Sequence, residues 1–294
     1  MREKRHAYLF VAPAAGLVIL LAFAPLAVLV WLSFRRVMPV FGLDRWVGLS
    51  NYIHLLSDSR FWSSLGTTLY FAGVAVTLEV TLGLGIALLL HRTFAWRGLA
   101  RMAVLVPGAL PTVVAARMWE WIYNPDFGVM NYLLRKASIL SEAVSWLGDP
   151  FWAIHAAILA DVWKTTPFAA LVLLAGLAAI PPDLHRAARV DGARSVRVFF
   201  EVTLPLLRPA LVVTGLFRFL DSFRVFDAIY VLTGGGPANT TETLAVYVYK
   251  VLFQTLRFGY GSAVAVAMFL MAAAASIVIV LVGGRRAFER REAT

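Results

Sequence analysis

Four pairs of opposite charges, each three residues apart, are set into stretches that are otherwise apolar: Arg117/Glu120, Asp161/Lys164, Arg218/Asp221 and Arg224/Asp227. A charge in hydrocarbon is costly unless it is paired or wet, so these residues must face a protein interior or a water-filled path. The i,i+3 spacing places each pair on neighbouring positions of one helix, where the two charges can neutralise each other. The first and last pairs lie near the ends of their apolar stretches and can reach the interface. The middle two are better placed to border a solute path. On a helix, Arg218, Asp221, Ser222 and Val225 follow the i, i+3, i+4, i+7 rule and share a face, while Asp227 points nearly the opposite way. Glu79 has no partner nearby in sequence; contact with Lys164, contact with Arg218 and a buried protonated state are the alternatives for it.

Covalent chemistry has no comparable candidates. The chain has no cysteine, and its five histidines, at 6, 54, 91, 155 and 185, show no metal-ligand spacing. No nucleophile sits beside a matched base. The glycine-rich stretch Leu232 to Thr241, LTGGGPANTT, lacks the lysine that follows the last glycine of a phosphate-binding loop, so it reads as a tight turn. The expectation is a non-enzymatic chain that binds no cofactor itself, with any nucleotide hydrolysis on a separate chain.

The elements that must position these charges are membrane helices. The 294 residues are 60% hydrophobic and only 15% charged, with a mean hydropathy of +0.76, which excludes an ordinary soluble domain. About 20 apolar residues cross the hydrocarbon core as helix. Six runs qualify: 8–34, 64–90, 102–123, 151–180, 210–232 and 263–282. The expected fold class is therefore an all-α integral membrane protein, a single domain of six transmembrane helices. The first run is too long for a signal-peptide core and reads as a retained anchor. Pro107 and Pro111 in VPGALPT should bend or open the third span, and Pro167 in DVWKTTPF the fourth.

Basic residues orient the bundle. With both termini inside, Arg2, Lys4, Arg5, Arg92, Arg97, Arg101, Arg186, Arg189, Arg194, Arg197, Arg208, Arg285, Arg286, Arg290 and Arg291 all fall on the inner side. The longer outer segments hold only Arg35, Arg36, Arg45, Arg60, Arg135, Lys136, Lys250 and Arg257. The positive-inside rule then places both termini and the polar segment 181–209 in the cytoplasm. The net charge of +10 is explained by topology, and with no nucleic-acid motif present it does not argue for a nucleic-acid partner.

That polar segment reads PPDLHRAARVDGARSVRVFFEVTLPLLRP. Asp183 is a suitable N-cap, Leu184 to Val190 can form two turns, and Asp191-Gly192 is a turn signal. A second short helix can run from Ala193 with Val196, Phe199, Phe200 and Thr203 on one face, ended by Leu204-Pro205. RAA, two residues, DGA, then Phe199 and Leu204-Pro205 resembles the signature of the membrane subunits of bacterial ATP-binding-cassette (ABC) importers. In that family the segment is the coupling helix that docks into a cleft of the cytoplasmic ATPase. The resemblance thus implies that Arg186, Ala187, Ala188, Asp191, Gly192, Ala193, Phe199, Leu204 and Pro205 couple to the ATPase. Position 186 departs from the family, which usually has Glu there; either the partner compensates or that contact is absent.

Further stretches resemble the maltose- and trehalose-type sugar branch: VGLSNYIHLL from Val47, WKTTPF, and FRFLDSFRVFDAIYVLTGGGP from Phe217. The resemblance covers nearly the whole chain and implies a type I importer permease fold in a bacterial inner membrane. It implies a substrate path bordered by Thr112, Lys164, Thr165, Phe168, Arg218, Asp221, Ser222 and Val225. It also implies a second, related permease subunit as heterodimer partner, two ATP-binding subunits carrying ATP and Mg, and an extracytoplasmic solute-binding protein. The rival is an ion- or proton-coupled secondary transporter using Glu79, Asp161 and Asp221. It accounts for the intramembrane charges but gives no reason for RAA and DGA followed by Leu-Pro.

Overall fold

The computed structural model describes residues 2–288, and Arg290 and Arg291 lie outside them. Helix α1 runs over Arg2–Ser33 without a break, carrying Pro13 and Pro25 within it. A short antiparallel hairpin follows, β1 (Arg35–Met38) with β2 (Leu43–Trp46), in the register Arg35↔Trp46 to Met38↔Leu43. Then come α2 (Ser50–Ser57), α3 (Ser59–His91), α4 (Arg97–Ala109), α5 (Thr112–Ile122), α6 (Val129–Lys136) and α7 (Pro150–Ala178). The polar segment forms α8 (Pro182–Val190), α9 (Ser195–Val198) and a π-helical turn (Phe199–Thr203) leading into α10 (Leu204–Phe223). The chain closes with α11 (Asp227–Leu232), α12 (Leu244–Tyr249), a second π-helical turn (Lys250–Gln254) and α13 (Phe258–Phe288).

Internal contacts divide the chain into two compact units, 1–62 with 247–271 and 63–246 with 272–294. In the first, Asp58 is the organising group. Its Oδ2 accepts hydrogen bonds from the hydroxyls of Tyr247 and Tyr260, and its Oδ1 accepts from the backbone N–H of Arg60 at 3.0 Å. Burial works to raise the Asp58 pKa, but the Tyr247 and Tyr260 hydroxyls and the Arg60 and Phe61 N–H groups together hold it below the ordinary carboxylate value. Gly259 is glycine for a spatial reason: a Cβ there would lie 1.8 Å from the Arg35 carbonyl oxygen.

In the second unit α7 is the axis, with most of its residues buried. Ala153, Ala156, Ala157, Ala160, Ala169 and Ala170 keep its surface low, and a Cβ on Gly83 of α3 would stand 2.8 Å from the Ala169 Cβ. Small residues on both helices therefore set a close crossing. Around it pack Phe71, Ala116, Ile154, Ile158, Ile229 and Val246 in one cluster, and Ala87, Leu90, Leu173, Leu177 and Leu207 in another. Tyr123 donates its hydroxyl to the Ala156 carbonyl at 2.9 Å, satisfying a polar tip that the core would otherwise strand.

Among the described residues four helices are long and apolar enough to cross a membrane: Ala12–Ser33, Ser59–His91, Pro150–Ala178 and Phe258–Gly283. A fifth forms if α4 and α5 count as one span bent by 94°. The bend is not at Pro107, which stays inside α4, but at Leu110-Pro111, where the residue before proline is driven into an extended conformation. Pro167 likewise stays inside a continuous α7. The expected fifth span, 210–232, is α10 followed by α11 after a turn at 224–226. Arg218, Asp221, Arg224 and Asp227 break its apolar run, so composition alone does not mark it as a span.

Candidate functional site

The buried end of the site is an ion-pair network. Arg218, on α10, is almost fully buried and grips Glu79 of α3 with two bonds, Nε to Oε2 at 2.5 Å and Nη2 to Oε1 at 3.0 Å. Its Nη1 donates to Asp221 Oδ2 at 2.8 Å, and its Nη2 lies 3.9 Å from Asp161 Oδ2. Thr165, one turn along α7 from Asp161, donates to Glu79 Oε1 at 2.7 Å. Of the three alternatives for Glu79, the structure selects Arg218. A planar five-donor guanidinium suits the centre of such a network, because its fixed fork grips Glu79 with two bonds and still has donors for Asp221 and the Asp161 side, whereas an ammonium has only three.

Above this network opens a cavity of about 260 Å³ lined by Thr112, Asp161, Lys164, Thr165, Asp221, Arg224, Val225, Phe226, Asp227 and Ala228. Three breaks or faces build it. The Leu110-Pro111 bend presents Thr112 at the start of α5, α7 presents Asp161, Lys164 and Thr165 on one face, and the turn after α10 presents Arg224 to Phe226. Of the sequence-expected path residues, Thr112, Lys164, Thr165, Asp221 and Val225 meet here. Arg218 and Ser222 lie buried rather than on the cavity lining, and the Ser222 Oγ has no hydrogen-bond partner among the described residues. Phe168 is a different case. It is exposed, packs edge-to-face on Phe217 at 6.3 Å and does not line the cavity: it shares the face of Asp161 and Lys164 but lies a further turn along α7, beyond the lining.

The expected charge pairing is met in part. Arg117 and Glu120 pair at 2.5 Å and Arg218 and Asp221 at 2.8 Å. Asp161 turns to Arg218 instead of Lys164, leaving Lys164 without an ion-pair partner among the described residues. Arg224 bonds Asp221 at 3.3 Å, not Asp227. The reason is local: α10 ends at Phe223, so 224 and 227 are no longer one helical turn apart. That same turn brings Asp227 onto the cavity lining, contrary to its expected opposite direction. Asp161, expected to border a solute path through its spacing to Lys164, is found on the lining. Arg224, Phe226, Asp227 and Ala228 were missed as lining residues, because they are brought there by a helix end that composition does not reveal.

The polar segment carries the second candidate surface. Helix α8 starts at Pro182, with proline in its first turn and Pro181 before it, so Asp183 lies inside the helix rather than capping it. There it pairs with Arg186 at 2.8 Å, both side chains exposed. The end of α8 is a Schellman motif: the Gly192 N–H bonds the Arg189 carbonyl at 3.1 Å, the Ala193 N–H bonds the Ala188 carbonyl at 3.0 Å, and Gly192 has φ +76°. The spacing of Ala188, Asp191, Gly192 and Ala193 is thus the spacing this cap demands. His185 Nε2 meets Thr203 Oγ1 at 3.1 Å, tying α8 to the π-helical turn.

Leu204-Pro205 does not end a helix as expected. Pro205 sits in the first turn of α10, where its missing donor costs little, and the π-helical turn before it removes the clash a regular α-turn would impose. The same turn splits the expected face: Val196 and Phe200 are exposed, Thr203 is buried and Phe199 is half-buried. In the glycine-rich stretch the N–H groups of Gly234, Gly235 and Gly236 bond to Ile229, Thr233 Oγ1 and the Thr233 carbonyl, as in a closed turn.

Residues 79–291 match the family described as binding-protein-dependent transport system inner membrane component. The chain is 42% identical over 283 residues to the trehalose/maltose transport system permease protein MalF of Thermococcus litoralis, covering 96% of this chain and 95% of that protein. It is 43% identical over 271 residues to the trehalose transport system permease protein SugA of Mycobacterium tuberculosis, covering 92% and 85%. A crystal structure of a bacterial ABC transporter involved in import of the acidic polysaccharide alginate superimposes with a TM-score of 0.81 at 22% identity, over 99% of this chain and 96% of that one. The fold is that of a type I ABC importer permease, a multi-pass membrane architecture. The extent of these matches places the chain in the family of inner-membrane permease components of binding-protein-dependent ABC import systems.

Proposed function

We propose that this chain carries a carbohydrate, a disaccharide of the trehalose or maltose kind, across the membrane as one half of an ATP-driven permease. The observation that carries the reading is the near full-length identity to a relative named for trehalose and maltose transport. The cavity supports it. Its lining offers hydroxyl, carboxyl, ammonium and guanidinium groups beside the Phe226 ring, which is the chemistry of polyol recognition. At about 260 Å³ it falls just below the range of roughly 300–1,000 Å³ usual for small-molecule pockets, which suits a half-site completed by a second, related permease subunit.

The remaining partners follow from the division of labour. ATP and Mg belong to two separate ATPase subunits, and a solute-binding protein delivers the sugar from outside. Both termini and the segment 181–209 face the cytoplasm, consistent with the arginine bias. There α8 and its Schellman cap, with Arg186, Ala187, Ala188, Asp191, Gly192 and Ala193, form the ATPase contact, together with Phe199, Leu204 and Pro205 at the π-helical turn. Exposed apolar groups on this surface, Leu184, Val190, Val196 and Phe200, suit burial against a protein partner. When the ATPase subunits close on ATP, α8 moves with its docking cleft. Through the tie from His185 to Thr203 it displaces α10, whose far end holds Arg218 and Asp221 at the cavity. Alternating access results without chemistry on this chain.

The test is uptake in proteoliposomes. Trehalose or maltose should enter only with ATPase subunits, ATP and the solute-binding protein all present. Uptake by this chain alone, driven by a proton or sodium gradient, would replace this reading with the secondary-transporter one.

A further inference from the structure

Asp161 and Lys164 are an unusual pair in this cavity, because they stand one helical turn apart on α7, line the same space and do not bond to each other. Asp161 is more than nine-tenths buried, and its Oδ2 accepts no hydrogen bond; its closest cation, Arg218 Nη2, is 3.9 Å away. Lys164 is half-buried and has no ion-pair partner among the described residues. A buried carboxyl with one oxygen lacking a donor and a membrane-embedded ammonium lacking an ion-pair partner are each costly arrangements. Side chains at i and i+3 can converge on one ligand group, one accepting and one donating.

We infer that Asp161 and Lys164 form an acceptor–donor clamp for a vicinal diol of an uncharged polyhydroxylated solute. A diol is the small group that both donates and accepts from adjacent positions, so it can serve the carboxyl and the ammonium on the lining together. Around it the cavity and its back wall carry four carboxyl groups, Glu79, Asp161, Asp221 and Asp227, against three cations, Lys164, Arg218 and Arg224. That balance gives an anionic sugar no net attraction. Thr165 is spoken for by Glu79 and the Asp161 carbonyl, so it is a support for Asp161 and not a third arm of the clamp.

This inference rests on the carbohydrate reading above, and one experiment separates the two. The full complex, with saturating ligand-loaded binding protein and ATP, is assayed for uptake of trehalose and of singly deoxygenated trehaloses. The wild-type complex should discriminate roughly tenfold or more against an analogue lacking one clamp hydroxyl, since hydrogen bonds to charged groups are the stronger ones. Lys164→Met, which orphans no buried partner, should bring that ratio close to one. Asp161→Asn, which keeps the shape, should reduce it severalfold for the same or the adjacent hydroxyl. The binding protein is common to all three complexes, so differences between them belong to the cavity. Unchanged ratios in both variants, with trehalose still transported, overturn the clamp and leave the carbohydrate reading standing. Absence of any neutral disaccharide uptake by the wild-type complex overturns both.

Discussion

Two arginine–carboxylate pairs in this chain stand in opposite surroundings. Arg218 and Glu79 meet with side chains 5% and 0% exposed; Arg186 and Asp183 meet with side chains 76% and 83% exposed. In the first the charges have left water, so each depends on the other and on Asp221, Asp161 and Thr165 for its remaining bonds. In the second, water can replace either partner at little cost. The buried pair therefore belongs to the architecture of the cavity, while the exposed pair is available for exchange with a partner surface. Charge in a membrane protein acquires its role from burial, and the two candidate surfaces of this permease, cavity and α8, fall on opposite sides of that line.

The sharpest test of the contrast is Glu79→Ala. Removing one member of a buried pair leaves Arg218 uncompensated, a loss of about 3–5 kcal/mol. Thermal unfolding and yield of the purified complex should both fall steeply, and Glu79→Gln should fall less because it can still accept from Arg218. An unchanged unfolding temperature in Glu79→Ala would mean that the network is wet and that the contrast with Arg186 fails.

Next in size is Gly192→Pro. Proline fixes φ near −65°, whereas Gly192 has φ +76° and donates its N–H to close the Schellman cap. The protein should still insert, but transport per ATP hydrolysed should fall by roughly 5- to 150-fold, the usual span of a coupling free energy. Normal coupled uptake would remove the docking role from α8. Asp221→Ala lies between the two regions, since its half-exposed carboxylate joins Arg218 to Arg224 at the cavity. Its transport affinity should fall about tenfold, with complex assembly affected much less than in Glu79→Ala. Loss of assembly with affinity unchanged would class Asp221 with the buried network.

How much of this was legible without coordinates differs between the regions for the same reason. The cap at Asp191, Gly192 and Ala193 is local: its hydrogen bonds span five residues, so the spacing reveals it. The break before Pro111 is local too. By contrast, Glu79 had three open alternatives because its partner is 139 residues away, and only packing decides among them. Arg224 and Asp227 were assigned to each other on a helix that ends at Phe223. Pro205 was expected to stop a helix because a π-helical turn is not encoded in periodicity. Short-range rules failed where the backbone left the regular α-helix, and the candidate cavity forms beside such departures.

A smaller effect is expected at Asp58, intermediate in burial between the two pairs. Its folded pKa lies below the ordinary value of 3.8, so it contributes stability that is complete above that value and is lost as pH falls through the folded one. Unfolding temperature followed from pH 7 down to about pH 2 should therefore show an acid limb that begins near the ordinary value of 3.8, and Asp58→Asn should flatten that limb. An identical limb in the variant would assign the acid sensitivity to other carboxylates.

The smallest effect on stability belongs to Arg186→Glu, and it is the most informative about function. An exposed i,i+3 pair contributes roughly 0–1 kcal/mol, so reversing Arg186 beside Asp183 should barely shift unfolding. Docking is another matter. The family usually places an acid at this position, so a partner ATPase matched to this chain should present a complementary acidic group. Reversal should then weaken capture of the ATPase subunits measurably at low salt and less at high salt, as screening predicts. Restoration by a basic substitution on the ATPase would locate the partner group. If Arg186→Glu binds the ATPase subunits as tightly as the wild type at low salt, the contact at 186 is absent, and docking rests on the alanine and glycine surface of α8 with its exposed apolar neighbours.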